Sequence, residues 1–72
     1  MENNTKIVID KNGKEIVHHA EVIVPDPNGS DIHVHSFQGT VVDIFPNGNC
    51  IVEDGDSDFF EIESERLEVV LD

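Results

Sequence analysis

The chain has no tryptophan and no tyrosine, one cysteine, and only four lysines and arginines among its 72 residues. Each shortage closes off a class of function. A single thiol, Cys50, cannot form an intrachain disulfide. A catalytic thiol would need a base and an orienting group beside it, so Cys50 is expected to act as a small core side chain. No apolar run approaches the roughly 20 residues that cross a bilayer. Residues 1–9 lack the basic start and apolar middle of a secretion signal. Together with the free thiol these features predict a cytoplasmic protein. Lys6, Lys11, Lys14 and Arg66 stand against sixteen acidic residues, a formal charge of −12. Affinity for nucleic acid comes chiefly from Lys and Arg neutralising phosphates, and anionic membranes attract basic segments. Neither is an expected partner.

Chemical templates are equally scarce. There is no glycine-rich phosphate loop and no serine with nucleophile spacing, and carboxylates are too abundant for any pair to stand out as an acid and base. The expectation is a protein that is not an enzyme and carries no cofactor. The charge itself serves solubility, and beyond that it suits a basic protein partner.

What is present is a succession of short β-branched runs separated by turn residues. A chain of this size forms one domain with a thin core, burying roughly 60% of the surface its unfolded form exposes. Residues 1–5 are polar and expected to fray, leaving residues 6–72 as the domain. Residues 6–18 read as a hairpin, because Asn12-Gly13 lies between Ile-Val runs. Residues 20–24 read as a strand that Pro25 ends. Residues 25–36 carry two prolines, a glycine and small polar groups, and a loop of about twelve residues in a compact domain is commonly functional. Three further strands follow over 37–45, 49–54 and 59–62, with turns at 46–48 and 55–58; this spacing suits a sandwich or barrel. Gly39 fits a sharp bend or close backbone approach, and a bulge near Asp43 would turn Val41 and Ile44 to one face. Ser64-Glu65-Arg66 fits one 3₁₀ turn before a last strand over 67–71.

The residues Gly39-Thr40-Val41 with Ile44, Cys50-Ile51-Val52-Glu53-Asp54, Phe60-Glu61-Ile62 and Arg66-Leu67-Glu68-Val69 resemble, in order and patterning, small SH3-like barrels of the Tudor and KOW type. The likeness is topological and covers residues 20–71. It implies an all-β fold: a five-stranded barrel with the first hairpin added and the 3₁₀ turn before the last strand. The expected interior is Val22, Val24, Phe37, Val41, Ile44, Cys50, Val52, Phe60, Ile62, Leu67 and Val69. The usual ligands of such families do not carry over. A cage for methylated side chains is aromatic, a proline-rich peptide needs an aromatic-lined groove, and RNA is the wrong partner for this charge.

Two constellations invite a metal. Asp54, Asp56 and Asp58 alternate, with Glu65 eleven residues after Asp54, as in a calcium loop; Phe59, however, stands where that loop needs glycine. A polar β-turn with Gly55 supplying an unusual backbone angle fits better, leaving loose divalent-ion binding as an alternative. His33 and His35 would share a face if extended, but a structural zinc needs four ligands, so surface histidines are expected and no metal site is assigned. The functional expectation is an interaction module. The loop 25–36 with the turns 46–48 and 55–58 would present Asp26, Asp31, Asp54, Asp56 and Asp58 to a basic protein, which speeds encounter. The alternative is a structural domain that forms a homo-oligomer through edge strands, for instance through the first hairpin, so the chain is expected to be a monomer or a weak homo-oligomer.

Overall fold

The computed structural model describes residues 7–29 and 31–70; the expected fraying of residues 1–5 and the end of the last predicted strand at Leu71 lie outside them. The fold is all-β. Its strands are β1 (Glu21–Val24), β2 (Phe37–Ile44), β3 (Asn49–Glu53), β4 (Phe59–Glu63) and β5 (Glu68–Val69), with a 3₁₀ turn at Ser64–Arg66 between the last two. All neighbouring strands are antiparallel, and the sheet order is β4-β3-β2-β1-β5. That order is compatible with an SH3-like fold. The sheet does not close by hydrogen bonds between β4 and β5, so the molecule is an open, curled sheet rather than a complete barrel.

Period-two patterning selects the inner face. Val22 and Val24 of β1, Cys50 and Val52 of β3 and Ile62 of β4 are buried, while their sequence neighbours are exposed or half-buried. In β2 the register with β3 shifts between Val41 and Asp43. The extra residue restores the phase, so Val41 opposite Val52 and Ile44 opposite Cys50 both reach the core. Gly39 has a steric reason: a Cβ there would lie 2.5 Å from the Glu53 carbonyl oxygen and 2.6 Å from Val52 Cγ1. Phe37, Ile44, Phe60 and Val69 are only half-buried around this core, and Ile16 and Val8 join it from outside the sheet.

The first hairpin is shorter than expected. It forms a single bridge, Ile9 opposite Glu15, flanked by Asp10 N–H to Lys14 O (2.8 Å) and Ile16 N–H to Val8 O (2.8 Å). Rather than standing free as an edge, it docks along the outer side of β5. Lys11 N–H donates to Leu67 O (2.9 Å), and Val69 N–H donates to Asp10 Oδ2 (2.7 Å). Asp10 Oδ1 also accepts Asn12 N–H and Lys14 N–H, both at 2.8 Å, and only 3% of the residue is exposed. Burial pushes its carboxyl pKa up, but the N–H groups of Val69, Lys14 and Asn12 outweigh this and hold it below the ordinary value.

Three turns share one geometry. Asp10, Phe45 and Asp54 each accept a backbone bond from the third residue on, and each donates to the carbonyl of the fourth. The third residue then sits at positive φ: Gly13 at 85°, Gly48 at 97° and Ser57 at 68°. This is the three-residue hairpin loop closed by a left-handed bulge residue. In the 54–58 turn the left-handed position therefore falls on Ser57, and Gly55, expected to supply it, does not.

Candidate binding groove

The antiparallel meander decides which loops can meet. The loop 25–36 leads into the start of β2, and the turn 54–58 joins the neighbouring ends of β3 and β4, so these two segments lie at one end of the sheet. The turn 46–48 lies at the other end. Between the loop and the 54–58 turn runs a groove of about 510 Å³ that continues into a smaller depression of about 190 Å³ along β4; Ile32, His33 and Phe60 line both.

Three of the five predicted aspartates, Asp54, Asp56 and Asp58, border the larger part, and Asp31 borders the smaller. Asp26 and the 46–48 turn border neither. Their chemistry differs. Asp54 Oδ1 accepts Asp56 N–H (2.8 Å) and Asp58 N–H (3.0 Å), so this carboxylate shapes its own turn. Asp26 Oδ1 accepts Ser36 N–H (3.1 Å) across the neck of the loop. Asp31 is locked to Arg66 by two bonds, of 2.6 and 3.1 Å, and also accepts Asn28 N–H. The Arg66 guanidinium, then that N–H, pulls the Asp31 pKa down to about 2. Glu63, held by its own backbone N–H and by Arg66, is also lowered, and Arg66 is raised by Asp31 despite partial burial. The pair anchors the loop to the 3₁₀ turn and leaves no free charge there. Among the described residues only Asp56 and Asp58 of the five keep carboxylates without a hydrogen bond, and no Lys or Arg lines either depression.

The groove also holds exposed apolar surface: Ile32 is 77% exposed, Val34 81% and Phe59 57%. Its floor is His33, which the sequence reading placed on the surface. His33 is 5% exposed. Its ring lies edge-on to Phe37 and Phe60, with centroids at 5.7 and 5.9 Å. Its Nε2–H donates to Pro25 O at 2.8 Å. Its Nδ1 is buried without a partner among the described residues. His35 faces out and bonds Ser36 O at 2.8 Å. The two rings therefore do not share a face, because residues 31–36 are irregular rather than extended. His18 and His19 are exposed on a turn, with His18 3.9 Å from Asp43.

Among the described residues no three His, Cys, Asp or Glu side chains are grouped to hold a metal ion. Cys50 is fully buried, and burial pushes its pKa up to about 11, so the thiol stays protonated at neutral pH. His33 and His35 stand out in the sequence as surface histidines, but neither the burial of His33 nor the Asp31–Arg66 pair, whose partners lie 35 residues apart, is visible there. Among the described residues no helix is long and apolar enough to cross a membrane. Compared with protein-family models, with curated proteins and with solved structures, the chain finds no match.

Proposed function

We propose that the chain is a non-catalytic, cytoplasmic interaction module whose groove between the loop 25–36 and the 54–58 turn receives a basic protein. One observation carries the reading: Asp56 and Asp58 present carboxylates without a partner among the described residues, beside the exposed side chains of Ile32, Val34 and Phe59. Apolar surface rimmed by charge of one sign is the anatomy of an interface, and a net charge of −12 steers a cationic partner toward it. We read the fold as an SH3-like barrel of the Tudor and KOW type, supported by the strand order and by the 3₁₀ turn before β5. The methyl-lysine cage of such readers finds no support. Phe37 and Phe60, with centroids 5.4 Å apart, pack on His33 as part of the floor instead of standing around an open cavity.

The test is a comparison between the wild type and an Asp56→Asn/Asp58→Asn double variant, immobilised and exposed to lysate at low and at moderate salt. Because neither carboxylate holds the turn, the variant is expected to melt at the wild-type temperature. The wild type is expected to retain basic protein at low salt and release it as the charges are screened, while the variant retains several-fold less. Equal retention by both forms refutes the reading.

A further inference from the structure

The two edges of the sheet are treated differently. The outer side of β5 is occupied, since Leu67 O and Val69 N–H bond to the first hairpin. The outer side of β4 carries no such bonds among the described residues. In the β3–β4 ladder the turn closes with Asp54 N–H to Asp58 O and the far end with Ser64 N–H to Gly48 O. The alternation of an antiparallel pair therefore points the peptide groups of Phe60 and Ile62 toward β3 and those of Phe59, Glu61 and Glu63 away from it. Among the described residues nothing bonds to the peptide groups of Phe59 and Glu61, while the Glu63 N–H meets its own carboxylate. The smaller depression, lined by Asp31–His33 on one side and by Phe60–Ile62 on the other, lies beside this edge.

Resting on the function proposed above, we infer that the basic partner enters as an extended segment and adds a strand to the free edge of β4. Strand addition draws affinity from main-chain bonds and specificity from alternate side-chain positions, and β4 offers both. Its outer face carries Phe59, Glu61 and Glu63, all exposed; its inner face carries Phe60, half-buried, and Ile62, buried. An added strand would set every second side chain beside Glu61 and the Asp56–Asp58 turn, where Lys or Arg fits. The intervening ones would lie along Phe60 and Ile62, near Ile32 and His33, where an aliphatic side chain fits. The occupant is thus an alternating basic and aliphatic segment of about five residues, spanning about 16 Å at 3.3 Å per residue. Charge decides against a second copy of the chain. Pairing β4 antiparallel with itself would bring Glu61 against Glu61 or Glu63 of the second copy, and directly opposed like charges destabilise a strand pair. An acidic edge excludes copies of itself and admits a basic strand.

The probe is a fluorescent Lys-Val-Lys-Val-Lys-Val peptide, compared with the same sequence N-methylated at every backbone amide. Charge and side chains are kept in the second peptide, while its ability to join a sheet is lost. The unmodified peptide is expected to bind the full chain at least tenfold more tightly by fluorescence anisotropy. Equal affinities would overturn strand addition and leave the charge reading standing; saturable binding of neither peptide would overturn both. Glu61→Pro supplies the protein-side arm. It removes an outward N–H that β3 does not use, a position where an edge strand tolerates proline, and circular dichroism establishes that the variant is folded. It is expected to weaken the unmodified peptide several-fold more than the methylated one, which loses only the Glu61 charge, and equal weakening of both or unchanged binding to a folded variant would count against the inference. Sedimentation adds the last outcome: a dimer that Glu61→Pro dissolves would make the occupant a second copy and overturn the proposal.

Discussion

Replacing Asp10 by asparagine tests whether one buried carboxylate fastens the first hairpin to the sheet. Asp10 accepts three backbone N–H bonds, two through Oδ1 and one through Oδ2. Asparagine keeps the shape but has one acceptor oxygen. If that oxygen serves Asn12 and Lys14, the amide nitrogen faces Val69 N–H, donor against donor. One bond to a charged group, about 1.5–3 kcal/mol, is lost. The other two become neutral bonds of about half the strength. The expected loss is about 3 kcal/mol at the lower end of these ranges, set against a net stability of roughly 3–5 kcal/mol for a domain of this size. In a chain this short that lowers the melting temperature by about 12–24 °C. Thermal melts followed by circular dichroism at neutral pH measure it. The difference also has a pH signature. Asp10 has a folded pKa below its ordinary value of 3.8. Its contribution is therefore complete above that value and disappears as pH falls through the folded pKa. Below it the wild type carries a neutral acid of the same shape, and the two melting curves should converge. A melting temperature within about 4 °C of wild type at neutral pH, under about 1 kcal/mol, would refute the fastening role.

Two further expectations concern backbone strain and acid. Ser57 occupies a left-handed position, φ 68°, where the two sister turns have glycine. The conformation costs a non-glycine residue about 1–2 kcal/mol, offset in part by the greater chain entropy of glycine, about 0.5–1 kcal/mol. Ser57→Gly should therefore stabilise by about 0.5–1 kcal/mol in urea unfolding, and an unchanged or lower midpoint would be evidence against the strain. Asp31, held at about 2 against an ordinary 3.8, contributes stability that is complete above the ordinary value and lost as pH falls from there through about 2. Melts across that window should show a falling limb that Asp31→Asn flattens, and an identical limb in both proteins would remove the Arg66 bond as its cause.

The sheet was legible because its physics is local. Val22 and Val24, or Cys50 and Val52, alternate with polar neighbours over adjacent positions, and turn residues mark each reversal. The bulge at Asp43 was readable for the same reason, since Val41 and Ile44 cannot face one way without it. Closure was not readable: whether β4 meets β5 depends on curvature summed over the whole sheet. The 54–58 turn was recognised, but its left-handed position was assigned to the residue type that prefers it, whereas the hydrogen-bond pattern placed it on Ser57. The candidate site shows the same division. Its aspartates stand out in composition, yet which of them are free depends on partners far along the chain. Asp31 is engaged by Arg66, 35 residues away, and Asp10 by Val69, 59 residues away. His33 looked like a loop residue until Phe37 and Phe60 were folded around it.

The docking of the first hairpin on β5 sets an order of events in time. Its bonds to Leu67 and Val69 join segments nearly as far apart in sequence as this chain allows, and such contacts return nothing until the intervening chain has been brought together. The hairpin comes first in sequence and is secured last. On the ribosome, where the chain emerges from its amino-terminal side, the hairpin lacks its bonds to Leu67 and Val69 until residues 67–69 have emerged. A nascent or truncated chain that stops short of Leu67 therefore displays an unsecured apolar hairpin, open to proteases and chaperones, and the appearance of β5 removes that signal.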